Sequence, residues 1–474
     1  MVRRVGLVLA VLMMMAIAIP ALAADVKIKG DFNNRFMVYT NHNDWLDSEK
    51  GVLKDGSSSE TWGEAKYRMW FDATTNDGKV KGIWAFEIGG LEYGKPGSMG
   101  KSVGGSYSGD AINVETRWLY TDFQLPWACE KARVRMGLQP FKVNGYFWAE
   151  TIMGVTTDIA AGPVNLNFAW LRPYRDETKD PDDDVEDLDA FYARVNFKPA
   201  DGIKAGVFGV YMMGDPDYSD PANYKTITSQ YYQVKKLGNE TDLSLYTFGT
   251  DGKATFGDFF VNWDLMYQGG SIDSANFSET YNGWDYNKGA VNEDFDVSAY
   301  FAHFDVGMKI DKMKFTYTFW YASGDDDASD SDFDGFLSVD IDRMDSICIL
   351  EGGFVDDDYY TENVGMLDKG MIFNKLAFDY KASKKLSVGV AALYMLTAED
   401  IEYVDNDGKK RKEDEIGIEF DAYLKYKLYD NLEFAVNAGY LFSGDGMDFW
   451  EVDQRDGSSD EDIFISTMRV RYKF

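Results

Sequence analysis

The feature that most narrows what this chain can become is alternation with a period of two, clearest at its carboxy-terminal end. Across Asp462–Phe474, residues Phe464, Met468, Val470, Tyr472 and Phe474 fall on one face, and Thr467, Arg469, Arg471 and Lys473 fall on the other. Side chains two apart share a face in a β-strand. One face suits hydrocarbon and the other suits water. An edge strand of a soluble sheet could carry the same pattern, so the remainder of the chain has to decide.

The amino-terminus points to export. Arg3 and Arg4 precede an apolar run from Val5 to Ile19, followed by Pro20 and Ala21-Leu22-Ala23. A basic start, a short apolar run and an A-x-A site make a secretory signal peptide over residues 1–23, with residues 24–474 as the mature chain. At about 15 residues the run is shorter than the roughly 20 that a spanning helix needs. No comparable run follows. A β-barrel can still cross a bilayer, because each strand shows lipid only its alternate side chains. The formal net charge of −32 excludes nucleic-acid binding by overall charge. Acidity with few aromatics would suggest disorder, but here aromatics are abundant and patterned.

The alternation recurs from Val26 to the end. In the first strand Val26, Ile28, Phe32, Phe36 and Val38 oppose Lys27, Lys29, Asp31, Asn33 and Arg35; Asn76-Asp77-Gly78 signals a tight hairpin. Towards the end, Ile416, Ile418, Phe420, Ala422, Leu424, Tyr426 and Leu428 share one face before Asp430-Asn431 turns into another strand. The pattern predicts eighteen strands. The segments near Ile152–Ile159 and Leu243–Ala254 alternate most faintly, and merging them into neighbours would give sixteen. Short turns and long polar loops are expected to alternate strictly, with Ser323–Lys369 the longest loop. Tyr39, Trp118, Trp170, Tyr174, Tyr321 and Tyr472 cluster near strand ends, as interfacial girdles require. The prediction is an all-β chain: a transmembrane antiparallel β-barrel, closed by an even strand count that leaves no edge. A long sandwich or a β-solenoid would not need outward aromatic faces on nearly every strand.

Four stretches together, Arg135-Met136-Gly137-Leu138-Gln139, Trp170-Leu171-Arg172-Pro173-Tyr174, Trp320-Tyr321-Ala322-Ser323-Gly324-Asp325-Asp326-Asp327 and Tyr429-Asp430-Asn431-Leu432, resemble the homotrimeric outer-membrane porins of sulfate-reducing delta-proteobacteria. The resemblance implies a general diffusion channel, a homotrimer in outer-membrane lipid, and small hydrophilic solutes as cargo. It also implies that the outer-membrane assembly machinery reads the terminal Phe474. The carboxylate-rich tract after Asp327 departs from the family pattern.

Candidate chemistry is sparse. His303 and Asp305 share a face, as the start of a proton relay would, but no Ser stands out as a nucleophile. No Cys/His metal pattern is present, and no cofactor is expected. Asp405-Asn406-Asp407-Gly408 imitates a calcium loop, but Tyr403 occupies the first ligand position, which discards an EF-hand. The acidic loops containing Asp182, Asp183 and Asp184, and Asp325, Asp326 and Asp327, read as solvated mouth rims, with weak divalent-cation binding as the alternative. Cys129 is placed in a short turn and Cys348 in the longest loop, so no disulfide is expected between them unless that loop folds deep through the pore.

The basic residues carry more. Arg35, Lys66, Arg68, Arg117, Arg133, Arg135, Arg469 and Arg471 face the lumen by parity, on strands that become one wall when the last strand pairs with the first. A Lys or Arg facing lipid at mid-depth costs roughly 2–4 kcal/mol, so energetics agree with parity. The porin resemblance implies a basic ladder opposite acidic groups, and hence a transverse field. The expected function is a passive porin of the Gram-negative outer membrane, not an enzyme. One alternative is a substrate-specific channel, for example for sugars, with Tyr192 and Tyr423 as a stacking track. The other is a barrel enzyme using His303. Modest cation selectivity is expected from the acidic mouth loops.

Overall fold

The structure, a computed structural model, describes residues 25–41, 59–95, 105, 112, 114–126, 132–174, 187–214, 242–281, 284–326, 331–343, 345–350, 364–366, 368–451 and 454–474; residues 274–281 and 284–293 are described in backbone only. The expected signal peptide, Asp182, Asp183, Asp184, Asp327 and Cys129 lie outside the described residues.

Eighteen antiparallel strands form one closed sheet. They are β1 (Asp25–Thr40), β2 (Ser59–Thr74), β3 (Val80–Glu92), β4 (Glu115–Gln124), β5 (Ala132–Asn144) and β6 (Trp148–Ala161). Next come β7 (Val164–Tyr174), β8 (Leu188–Ala200), β9 (Ile203–Gly214), β10 (Asp242–Phe256), β11 (Phe259–Tyr281), β12 (Trp284–Ile310) and β13 (Met313–Ala322). A two-residue strand, β14 (Asp332–Phe333), lies in the following loop. The barrel resumes with β15 (Met371–Tyr380), β16 (Leu386–Val404), β17 (Lys410–Tyr429), β18 (Leu432–Ser443) and β19 (Ile463–Lys473). Each barrel strand pairs with the next, and β19 pairs with β1 from Asp31↔Lys473 to Thr40↔Phe464. The two faintly alternating segments are full strands, β6 and β10, so the count is eighteen and not sixteen.

The alternation sorts as the sequence requires. Val26, Ile28, Phe36 and Val38 are exposed on the outer surface, whereas Asn33, Arg35, Met37 and Tyr39 are buried inside. With lipid as the outer solvent, every strand hydrogen bond must close on a neighbour, which the ring achieves. The seam is completed below β19, where Gly30 and Phe474 exchange backbone hydrogen bonds of 3.0 and 3.1 Å. A Cβ on Gly30 would lie 2.3 Å from the Phe474 ring, so only glycine lets the terminal aromatic lie flat there. At the β2–β3 turn, Gly78 takes φ 69° as a tight hairpin demands. The Thr75 hydroxyl and the Lys79 amide hydrogen-bond the Asp77 carboxylate, and its pKa falls to about 2.

Three expectations need correction. The alternation of short and long connections is not strict: β5 and β6 are joined at the long-loop end by 145–147 alone. There β11–β12 and β16–β17 also continue as paired ribbons, to Tyr281↔Trp284 and Val404↔Lys410. Beyond the bilayer neither face of a ribbon needs to be apolar, so its sequence reads as loop. Second, Ile416 does not share a face with Ile418. The register jumps from Met395↔Gly417 to Leu396↔Glu415, a bulge that turns Ile416 inward to full burial. Third, Tyr39 is no girdle residue: it turns inward, 4.6 Å from Trp62 ring to ring, whereas Trp170 and Tyr472 do lie on the outer surface.

Candidate channel and its constriction

All eight predicted basic residues occupy neighbouring strands β19, β1, β2, β4 and β5, and each has a carboxylate partner. Arg35 pairs with Glu64, both side chains nearly fully buried. Lys66, Arg68 and Arg117 converge on Glu87, Lys66 at 3.4 Å and Arg117 at 2.7 Å. Arg133 binds Asp122 at 2.6 Å and Arg135 binds Asp158 at 3.2 Å. Arg469 binds Glu433 at 2.7 Å, and Arg471 grips Asp31 through two nitrogens, at 2.7 and 2.5 Å. These partners lie on the same wall, not across the lumen. Among the described residues these eight cations meet six carboxylates, with Asp72 and Glu115 on the same strands, so the wall is much closer to neutral than parity alone suggests. In a ring of eighteen, β10 stands opposite β1, and the facing strands β10–β12 carry Asp251, Asp264 and Asp305.

The long-loop half of the lumen is packed with apolar side chains, among them Phe141, Tyr146, Phe147, Trp148, Leu171, Phe301, Trp320, Phe336, Phe373 and Ile465. Two segments fill it. The tip of the β5–β6 hairpin leans across the barrel: the Tyr146 ring lies 4.9 Å from Phe301 on β12, and Asn144 Nδ2 donates to Met266 Sδ on β11 at 3.4 Å. The chain between β13 and β15 then crosses the lumen as a strap. Its Leu337 backbone exchanges hydrogen bonds with the Gln268 amide of β11. Val339 and Asp340 amides donate to the Phe147 carbonyl, and Asp342 and Arg343 amides donate to that of Gly145. Its tip ends on β17, where Ser346, Ile347 and Cys348 all donate to Glu419. The runs Phe336-Leu337 and Ile347-Cys348-Ile349-Leu350, too apolar for a solvated external loop, were the sequence signal for this.

His303 is fully buried between two carboxylates, Nδ1 2.7 Å from Asp264 and Nε2 3.2 Å from Asp305. Asp305 also accepts from Thr318 and Asn262 and faces Arg343 of the strap at 3.7 Å. Arg343 lies 4.9 Å from the Tyr146 ring centre and 3.2 Å from Asp345. An imidazole so enclosed fixes the strap elbow and cannot reach a substrate as a base. Tyr192 and Tyr423, on β8 and β17, face each other across the ring and form no continuous track.

The acidic sites fare unevenly. Asp325 is buried where the chain leaves β13, its amide bound to the Asp368 carbonyl, while Asp326 is exposed. Among the described residues no group of three or more His, Cys, Asp or Glu could hold a metal ion. Asp405-Asn406-Asp407-Gly408 is the tip of the β16–β17 ribbon. The Lys409 amide and the Arg411 guanidinium hold the Asp405 carboxylate below its usual pKa. Cys348 carries a free thiol inside the lumen, not in an external loop; burial, with Glu419 and Asp421 nearby, pushes its pKa well up.

No family model and no curated protein matches the chain. Among solved structures, OprD of Pseudomonas aeruginosa, titled an outer membrane protein, matches with TM-score 0.51 and 11% identity over 96% of this chain and 94% of its own. OccK8 (OprE) of the same organism matches with TM-score 0.50 and 12% identity over 95% and 98%. The chain has the fold of these outer-membrane barrels. At this identity the likeness concerns fold, and function has to rest on the lumen itself.

Proposed function

We propose that the protein is a passive channel of the Gram-negative outer membrane for small hydrophilic solutes and ions, acting without cofactor or catalysis. The observation that carries this reading is the lumen: a closed wall of paired charges narrowed by an inward strap. Solutes would pass between the basic wall and the carboxylates of β10–β12. A cavity of about 460 Å³ at the short-turn end, lined by Lys427, Glu433, Arg469, Arg471 and Lys473, offers a polar entry or exit. Single-channel recording in planar bilayers tests the proposal; protein that inserts but gives no conductance steps would refute it.

The packed long-loop half favours a second, narrower reading, a substrate-selective channel. Saturable block of the current by one class of solute would separate the two. The sequence resemblance further supports a homotrimer, the basic start, apolar run and A-x-A site support export by cleavage after Ala23, and the terminal strand's likeness to the closing strand of bacterial outer-membrane barrels supports recognition of Phe474 during assembly. The acidic loops are taken as solvated rims that set ion preference and bind divalent cations weakly at most. Light scattering in mild detergent reports the subunit number, and amino-terminal sequencing reports the cleavage site.

A further inference from the structure

Glu419 is an unusual wall residue. It is fully buried on the lumen face of β17, and among the described residues no cation pairs with it. Its carboxylate accepts from the Ser346 hydroxyl at 2.6 Å, the Ile347 amide at 2.7 Å and the Cys348 amide at 3.1 Å. All three donors belong to the strap tip. The same Ser346 oxygen accepts from the Ile349 amide at 2.9 Å, which curls the tip around the carboxylate. A buried carboxylate without a counter-ion is costly unless hydrogen bonds surround it. Here the strap supplies them, so the strap and the ionised carboxylate depend on each other.

The surroundings make this contact separable from the rest of the strap. The nearest cation, Lys375 on β15, goes to Asp421 at 3.8 Å and to the Asp345 carbonyl, not to Glu419. Asp421, two residues along on the same face, sits within hydrogen-bond reach of Glu419, so one of these two buried carboxyls holds a proton and only one carries charge. The tip otherwise rests in a shallow dent: a Cβ on Gly439 of β18 would lie 2.8 Å from Ile347. At the other end the strap is tied to Gly145, Phe147 and Gln268 by backbone hydrogen bonds that do not involve Glu419. Between the two, Arg343 holds the strap to Asp305 and Lys375 holds the Asp345 carbonyl, while residues 346–348 are seated on Glu419.

We propose that Glu419 is a releasable latch: its carboxylate seats the strap tip 346–349 against β17, and loss of that carboxylate lets the tip swing back and widens the passage. Only the conductance readout rests on the channel reading above; the seating of the strap stands independently of it.

Cys348 is a built-in reporter, because its buried thiol leaves the wall with the tip. In a Cys129→Ser background Cys348 is the single thiol. Maleimide labelling of folded protein in detergent should be roughly tenfold or more faster in Glu419→Ala, since several charge-assisted hydrogen bonds are lost, with Glu419→Gln between it and the parent. Single-channel conductance should rise in the same order. Gly439→Val crowds Ile347 and the Asp421 carboxylate while leaving Glu419 itself in the chain, and should also speed labelling and raise conductance, which covers the case that Glu419→Ala does not fold. Labelling unchanged in the folded variants would overturn the latch. Faster labelling with unchanged conductance would overturn its gating role. A parent protein without conductance would refute the channel reading while labelling still decides the seating.

Discussion

Replacing Arg469 and Arg471 together by Gln should make the channel more cation-selective, and by a size the geometry sets. The substitution leaves the Glu433 and Asp31 carboxylates on the lumen wall without the guanidiniums that now hold them at 2.5–2.7 Å. A unit charge acts on an ion passing at ~7 Å with about 0.6 kcal/mol in water. Two positive charges fewer, with Lys473 still 3.4 Å from Asp31, therefore favour a cation by roughly 1 kcal/mol and disfavour an anion by as much. Each preference is worth about fivefold. The cation-to-anion permeability ratio should rise at least fivefold at 0.01 M salt, where the Debye length is about 30 Å, and the change should fade near 1 M, where it is about 3 Å. Reversal potentials across a potassium chloride gradient measure this directly. The parent should already be modestly cation-selective, and deleting Asp180–Asp187 should lower its ratio. Strong anion selectivity of the parent at low salt, or a ratio unmoved by the double substitution, would refute the reasoning.

Three further outcomes can be checked. Arg35→Ala strands the buried Glu64 carboxylate and should cost about 3–5 kcal/mol in urea unfolding, whereas Arg35→Met with Glu64→Leu should recover most of it; equal losses would mean the pair does not act as a unit. Burial raises the Cys348 pKa, so its thiolate stays scarce: its alkylation at pH 8 should be far slower than that of an ordinary thiol near pKa 8.5, and should still climb steeply at pH 9 where the ordinary thiol levels off; a plateau by pH 9 would refute this. Gly30→Val forces the Phe474 ring from its seat and should lower the fraction of heat-modifiable, folded barrel on gels, with normal yield in the Gly82→Val control, where nothing lies within 4 Å of the added Cβ.

Much of the fold was legible because lipid and water impose opposite demands on successive residues. The rule that placed Phe36 outside and Arg35 inside worked for nearly every strand. It failed where its physics lapses. The β11–β12 and β16–β17 ribbons extend past the bilayer, where neither face must be apolar. Ile416 escaped because a single bulged residue inverts parity, and nothing local in Glu415-Ile416-Gly417 marks it except the glycine. At the site, parity gave the lumen position of all eight basic residues. Their partners could not be read, because pairing Arg471 with Asp31 requires knowing how the last strand is staggered against the first. Glu419 was invisible for another reason: its role depends on a strap that leaves the wall at β13 and folds into the lumen to meet it on β17.

The pairing of Gly30 with Phe474 sets a condition on biogenesis. The two residues that close the ring belong to the first and last barrel strands, so no set of hairpins lacking β19 can complete the cylinder. Until β19 pairs with β1, every amphipathic hairpin already formed keeps open edges and an apolar outer face. The barrel should therefore tolerate a peptide spliced between β7 and β8 far better than a tag fused after Phe474.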